Sequence, residues 1–231
     1  ATSMNKIKPS LKGFGGILFF FGFQYLYSIL ISLLVSKINF GFLAKNIILL
    51  LGETIIAIVM IILNKERLKK DYPDFNKNYK KYLKIGIKYW FTGLIFMMLS
   101  NILINIYITN NIAANEASNR STLESYPIYA ILAISLIGPL AEELTFRCNF
   151  KDLFKNRSTF VLFTSLIFAS AHVLTSLTSI TDLIYLIPYM SLSLALGFAF
   201  YDTDNIYTTI IIHTMHNTLA TILLVVALLG A

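Results

Sequence analysis

The chain has 231 residues, 56% of them hydrophobic and only 13% charged, with a mean hydropathy of +0.69. That is too oily for a soluble domain of this size and too continuous for an outer-membrane barrel, whose strands alternate over about ten residues, so the expected class is an all-α polytopic membrane protein. The net charge of +7 needs a topological explanation, and a single cysteine, Cys148, excludes an intramolecular disulfide and a thiolate metal cluster.

Runs of about 17–25 apolar residues cross a bilayer as helices, and the sequence predicts about seven of them, six to eight fitting the pattern, within one membrane domain covering 1–231. Ala1, Thr2 and Ser3 ahead of Met4 read as an expression scar. The first span, 15–35, has no small-residue cleavage site after it and is long for a signal peptide, so it is expected to be a retained anchor. The second, 46–63, carries Glu53, whose expected partner is Thr54 or a neighbouring helix. A basic stretch from Lys65 to Lys88 follows and reads as a solvated inner loop, with no nucleic-acid partner expected. After the third span, 90–109, the polar segment 109–125 reads as an exposed loop.

The remaining four spans, 126–141, 159–174, 183–201 and 206–229, form the motif-bearing core expected over 126–229. The fourth contains Gly138 and Pro139, a signal for a break or kink, with Glu142 at its inner end. Ser191, Ser193 and Gly197 in the sixth suit close helix packing. Loops rich in Lys and Arg stay in the cytoplasm. With the N-terminus inside, sixteen of the nineteen Lys and Arg fall on the inner side, leaving Lys37, Lys45 and Arg120 outside. The expected location is the cell membrane, with the N-terminus cytoplasmic and the C-terminus outside.

Three polar strings interrupt these apolar runs: Glu142-Glu143-Leu-Thr-Phe-Arg147, Phe168-Ala-Ser-Ala-His172 and His213-Thr-Met-His-Asn217. An ionisable side chain at the centre of a membrane helix costs roughly 2.5–3.5 kcal/mol, so several of them in separate spans indicate use. At about 100° per residue, Glu143 and Arg147 share a helix face in the favourable order for an ion pair, while Glu142 points away from Arg147. Glu142 is thus left as a candidate general base or acid. Phe168, four residues before His172, is placed to limit its rotamers. His213 and Asn217, also four apart, form a donor pair that suits either an oxyanion or a metal. His216 is expected to make an interhelical hydrogen bond.

In this order, each on its own apolar helix, the three strings resemble the motif set of the CAAX protease and bacteriocin-processing (CPBP, or Abi) family of intramembrane endopeptidases. The pattern Glu-Glu-x-x-x-Arg, Phe-x-x-x-His and His-x-x-x-Asn is met at Glu142, Glu143, Arg147, Phe168, His172, His213 and Asn217, within 137–223. One departure is Cys148, where many relatives have Gly. The resemblance implies hydrolysis of a peptide bond, with Glu142 and His172 activating water, His213 and Asn217 stabilising the oxyanion, and Glu143, Arg147 and Phe168 supporting the site. It also leaves open a divalent metal such as zinc, on Glu142, His172 and His213. The expected substrate is a peptide or membrane-associated protein, and a chain rich in Ile, Asn, Lys and Tyr suggests a bacterial role in peptide maturation, bacteriocin self-immunity or regulation. The sequence does not specify an oligomeric state. Two other classes use similar residues: a catalytically silent scaffold or immunity protein that binds a partner, and a proton-coupled transporter, against which the lack of a paired inverted repeat argues.

Overall fold

The computed structural model describes residues 4–151 and 153–230, so the expected scar at 1–3 lies outside the described residues. Eight helices run in chain order among them: α1 (Met4–Lys37), α2 (Phe42–Leu63), α3 (Lys65–Tyr107), α4 (Ala114–Ser125), α5 (Pro127–Lys151), α6 (Arg157–Leu174), α7 (Leu186–Thr203, led in by a 3₁₀ turn over Ile180–Tyr185) and α8 (Ile206–Leu229). All but α4 are long and apolar enough to cross a membrane. The all-α polytopic class expected from composition is the observed one.

The chain divides into two compact units. The first comprises 1–68, 122–152 and 213–231, which takes in α1, α2, α5 and α8 from His213 onward. Within it α2 and α5 run parallel, fixed by polar contacts at both ends. Asn46, fully buried in α2, accepts from the Tyr129 amide at 3.0 Å, filling one of the donors that the first turn of α5 cannot satisfy internally. Near the other end Asn64 donates to Asn149 Oδ1 at 3.1 Å. Pro127 occupies the first turn of α5, where its missing N–H is not needed. α1 covers this pair through Phe20, which meets Phe146 edge-on at 5.5 Å, and Tyr27, whose hydroxyl donates to the Ile48 carbonyl at 2.5 Å.

The second unit comprises 69–121 and 153–212: α3 from Lys69, most of α4, α6, α7 and the first turns of α8. α6 and α7 pack along their length with Phe160 against Phe200 at 5.8 Å. α3 approaches α7 at Gly93, where a Cβ would come within 2.7 Å of the Ala195 Cβ and 2.9 Å of the Ser191 carbonyl oxygen. The small residues of the sixth span therefore serve close packing. At one end Arg157 grips Asp202 through two 2.8 Å bonds and lies over the Phe198 ring at 4.5 Å, while Tyr89 donates to the same carboxylate at 2.5 Å. At the other end Tyr185 donates to the Asn111 carbonyl and Asn115 donates to the Tyr189 hydroxyl at 2.9 Å.

Several sequence expectations are corrected here. The stretch from Lys65 to Lys88 is not a loop; it is the first half of α3, a single helix of 43 residues. Lys, Glu and Tyr do not oppose helix, and the segment gains a packing face. Tyr207 stacks obliquely on Phe75 at 5.9 Å, and buried Asp71 accepts from the Ile206 amide at 2.8 Å, so that α3 caps α8. The segment 109–125 likewise contains α4, held by Arg120–Glu116 at 2.7 Å one turn apart and by burial of Leu123. The first helix begins at Met4, and its apolar part, Gly13–Lys37, agrees with the expected span 15–35.

The most consequential correction concerns α5. The fourth span does not end beside Glu142; it runs on to Lys151, nine residues further. Gly138 and Pro139 do not break it, because the helix widens into π turns over Ala133–Ile137 and Leu144–Cys148. The Gly138 amide donates to the Ala133 carbonyl, five residues back. That approach demands glycine, since a Cβ would lie 2.8 Å from the same oxygen.

Candidate functional site

The first π turn has a cost at one atom. The Ile134 carbonyl would receive its helical hydrogen bond from residue 138 in α geometry or from residue 139 in π geometry. Gly138 donates to Ala133 instead, and Pro139 has no N–H to give. The missing donor comes from α8: Asn217 Nδ2 donates to the Ile134 oxygen at 2.9 Å. One turn further on, Ser135 donates to Thr221 Oγ1 at 3.1 Å, and Thr221 donates to the Asn217 carbonyl at 2.8 Å. α5 and α8 are thus joined by polar contacts beside the residues of interest.

Glu142 and Glu143 both turn toward α8, flanking one imidazole. His213 Nδ1 lies 2.9 Å from Glu143 Oε1, and His213 Nε2 lies 3.6 Å from Glu142 Oε2. Glu143 also faces Arg147, whose Nε lies 3.4 Å from Oε2, and both side chains are fully inaccessible. A carboxylate placed between a guanidinium and an imidazole accepts from each, so His213 donates from Nδ1 and its orientation is fixed. The helix-angle argument places Glu143 with Arg147 and is matched by this contact. It does not foresee that Glu142 meets the same histidine. Glu142 is the more open member of the group, its side chain 20% exposed against 3% for His213.

His216, half-buried, follows on the same helix. Glu53 of α2 accepts from the Tyr129 hydroxyl of α5 at 3.5 Å, so its partner is a neighbouring helix; Thr54 donates to the Leu50 carbonyl instead.

Phe168 and His172 belong to the second unit. Buried Phe168 lies 4.3 Å from the His172 ring by centroids, and Tyr189 stacks on the same ring at 5.2 Å. His172 Nδ1 donates to the Phe168 carbonyl at 2.8 Å. A carbonyl can only accept, so Nε2 carries the lone pair suited to a base or a ligand. A small cleft beside it is lined by Asn115, Ser176, Asp182 and Tyr185 among others.

Residues 124–219 match the family described as type II CAAX prenyl endopeptidase Rce1-like. The matched segment contains all three motifs, and the match agrees with the resemblance that the motifs carry on their own. It covers under half of the chain and leaves α1, α2 and α3 outside it. The family is one of peptidases, and the segment lies in helices apolar enough to cross a membrane. No curated protein and no solved structure matches the chain.

The resemblance leaves open a divalent metal such as zinc on Glu142, His172 and His213. Among the described residues no group of three or more His, Cys, Asp or Glu side chains is arranged to hold a metal ion. In the first unit Glu142 Oε2 and His213 Nε2 face each other, which supplies two donors where a catalytic zinc takes three from protein, and the Glu143 carboxylate is occupied by the other ring nitrogen. The donor set of that unit therefore does not by itself fit zinc.

Proposed function

We propose that the protein is an intramembrane endopeptidase of the CPBP type, hydrolysing a peptide bond in a peptide or membrane-associated protein, with Glu142 as the base. The observation that carries this reading is the Glu143–His213–Glu142 row: an imidazole clamped at Nδ1 by one buried carboxylate presents Nε2 toward a second, more open one. Glu142 accepts a proton from water as the oxygen adds to the scissile carbonyl carbon. His213, held by Glu143, donates from Nε2 in its protonated form to the oxyanion, together with the Asn217 N–H that does not serve Ile134. The proton held by Glu142 passes to the leaving nitrogen as the C–N bond breaks, which releases an amine and a carboxylic acid; the acid then ionises to solvent. The resemblance implies that His172 also takes part in water activation, a role suited to the Nε2 lone pair that its Nδ1 bond sets in the neutral ring. Arg147 balances the charge of Glu143 and does not touch substrate.

On the same reading the protein sits in the cell membrane with its N-terminus cytoplasmic. Its role is peptide maturation, self-immunity or regulation of a surface protein.

The test uses purified full-length protein in lipid nanodiscs with a candidate membrane-bound peptide, product being identified by mass spectrometry. Glu142→Gln and His172→Ala are each expected to abolish cleavage while leaving the thermal unfolding transition in place. Cleavage that persists in both variants would refute the site. A cellular phenotype that survives without cleavage would assign the protein to the scaffold class.

A further inference from the structure

The ring plane of His172 is not settled by its own helix. The torsion about the Cβ–Cγ bond of a histidine has broad minima, so packing must set it. The Nδ1 bond to the Phe168 carbonyl, 2.8 Å long, limits that torsion only in part, because in an α-helix the same oxygen also serves the backbone amide four residues on. Phe168 lies against the imidazole with 33° between the planes, and it too belongs to α6. The remaining support comes from outside α6 and outside the three motifs. It is the Tyr189 ring of α7, 27° from parallel and 5.2 Å from the imidazole by centroids, within the range of about 4.5–7 Å for interacting rings.

Tyr189 is held at its backbone and at its hydroxyl. It lies in the first turn of α7, directly after buried Pro188, whose fixed φ stiffens that turn and whose missing N–H is not needed there. Its hydroxyl accepts from Asn115 Nδ2, in the first turn of α4, at 2.9 Å. One turn earlier Tyr185 donates to the Asn111 carbonyl, and its buried ring packs in one cluster with Ile104, Ala113 and Val173, the residue after His172. Tyr189 itself is only partly buried, so filling the core does not call for it. The small cleft beside His172 is bordered by Tyr189, Asn115 and Ser176, and it gives the imidazole room to turn once the tyrosine ring is gone.

We propose that Tyr189 is a positioning residue for His172, its ring fixing the imidazole plane and with it the direction of the Nε2 lone pair, and that Asn115 keeps Tyr189 in place. The bearing on catalysis rests on the endopeptidase reading; the hold on the ring does not. A misplacement of about 1 Å can cost on the order of a hundredfold in rate. A side chain that never meets substrate therefore shows its effect in kcat.

The test uses the full chain in lipid nanodiscs. Labelled with 15N-histidine, the chain carries three imidazoles, and the signals of His172 are those missing from His172→Ala. At alkaline pH the parent is expected to show His172 as the single tautomer protonated at Nδ1, Tyr189→Leu a mixture of both tautomers, and Tyr189→Phe, which keeps the ring, the parental state. In the cleavage assay Tyr189→Leu is expected to lower kcat roughly tenfold or more with KM unchanged. Tyr189→Phe should recover most of that loss, and Asn115→Ala should match Tyr189→Phe without adding to it in the combined variant. A single Nδ1–H tautomer in Tyr189→Leu overturns the proposal. So does a raised KM at parental kcat, which would make Tyr189 a substrate contact. If Tyr189→Leu does not fold, the other two variants decide, and losses that add in their combination overturn the link from Asn115 to His172. A parent that cleaves no peptide sinks the endopeptidase reading and leaves the tautomer result to decide the hold on His172.

Discussion

Replacing Asn217 with Ala removes the donor that serves the Ile134 carbonyl, and replacing Pro139 with Ala can restore one. The Asn217 amide reaches that oxygen at 2.9 Å, across 83 residues of sequence. A buried carbonyl left without its donor costs about 1–3 kcal/mol, so Asn217→Ala should lower stability by around 2 kcal/mol, or roughly 4–8 °C in melting temperature for a chain of this size. Alanine at 139 supplies the N–H that proline lacks, five residues from Ile134 and in register with the Gly138–Ala133 bond. In the Pro139→Ala background the same Asn217→Ala change should therefore cost about 1 kcal/mol less, the signature of two groups serving one acceptor. The assay is reversible unfolding of the four proteins in detergent, read by circular dichroism and by intrinsic fluorescence. Strict additivity, with a coupling within about 0.3 kcal/mol of zero, would refute the account of the π turn. Activity need not follow stability in this cycle, because the second Asn217 N–H is still lost.

The buried pair supports a second double variant. Arg147→Ala strands the Glu143 carboxylate and should destabilise by about 3–5 kcal/mol, whereas Glu143→Leu with Arg147→Met should recover much of that stability in thermal unfolding yet cleave no peptide, because His213 loses its Nδ1 partner. Gly138→Ala drives a Cβ to 2.8 Å from the Ala133 oxygen and should destabilise by roughly 1–3 kcal/mol; a melting temperature equal to the parent's would count against the close approach. Asp71→Ala removes the cap on the Ile206 amide and should cost about 0.5–2 kcal/mol, with faster hydrogen exchange confined to the first turn of α8 as the local readout.

Where the chain is uniformly apolar and cleanly bounded, hydropathy suffices. Span 206–229 coincides with α8, and 159–174 falls two residues short of the start of α6 at Arg157, where Asn156 accepts from the Thr159 amide to begin the helix. The errors lie where local composition and tertiary packing disagree. The stretch from Lys65 to Lys88 is too charged to read as part of a span, and the contacts that make it helical, Asp71 to Ile206 and Phe75 to Tyr207, come from residues more than a hundred positions away. Gly138-Pro139 reads as a breaker because the rule for proline assumes an α turn. The wider turn and the remote Asn217 donor remove both objections, and no local signal announces either. Within the candidate site the pairing of Glu143 with Arg147 is legible from spacing alone. The meeting of both glutamates on His213 is not, since helix angles say which face a residue occupies and not which neighbour covers it.

The cap on α8 belongs to another helix, and this sets an order of events during synthesis. Asp71 is made 135 residues before the amide it receives, so a partly built chain holds the acceptor long before the helix it will steady. His213 and Asn217 lie on that same late helix, within two to three turns of its capped end. A nascent chain that ends between His172 and the start of α8 therefore has Glu142 and His172 but neither of the remaining two groups. On the endopeptidase reading, hydrolysis cannot begin before α8 has been delivered, and until then the growing chain is protected from its own site by the sequence order of its parts.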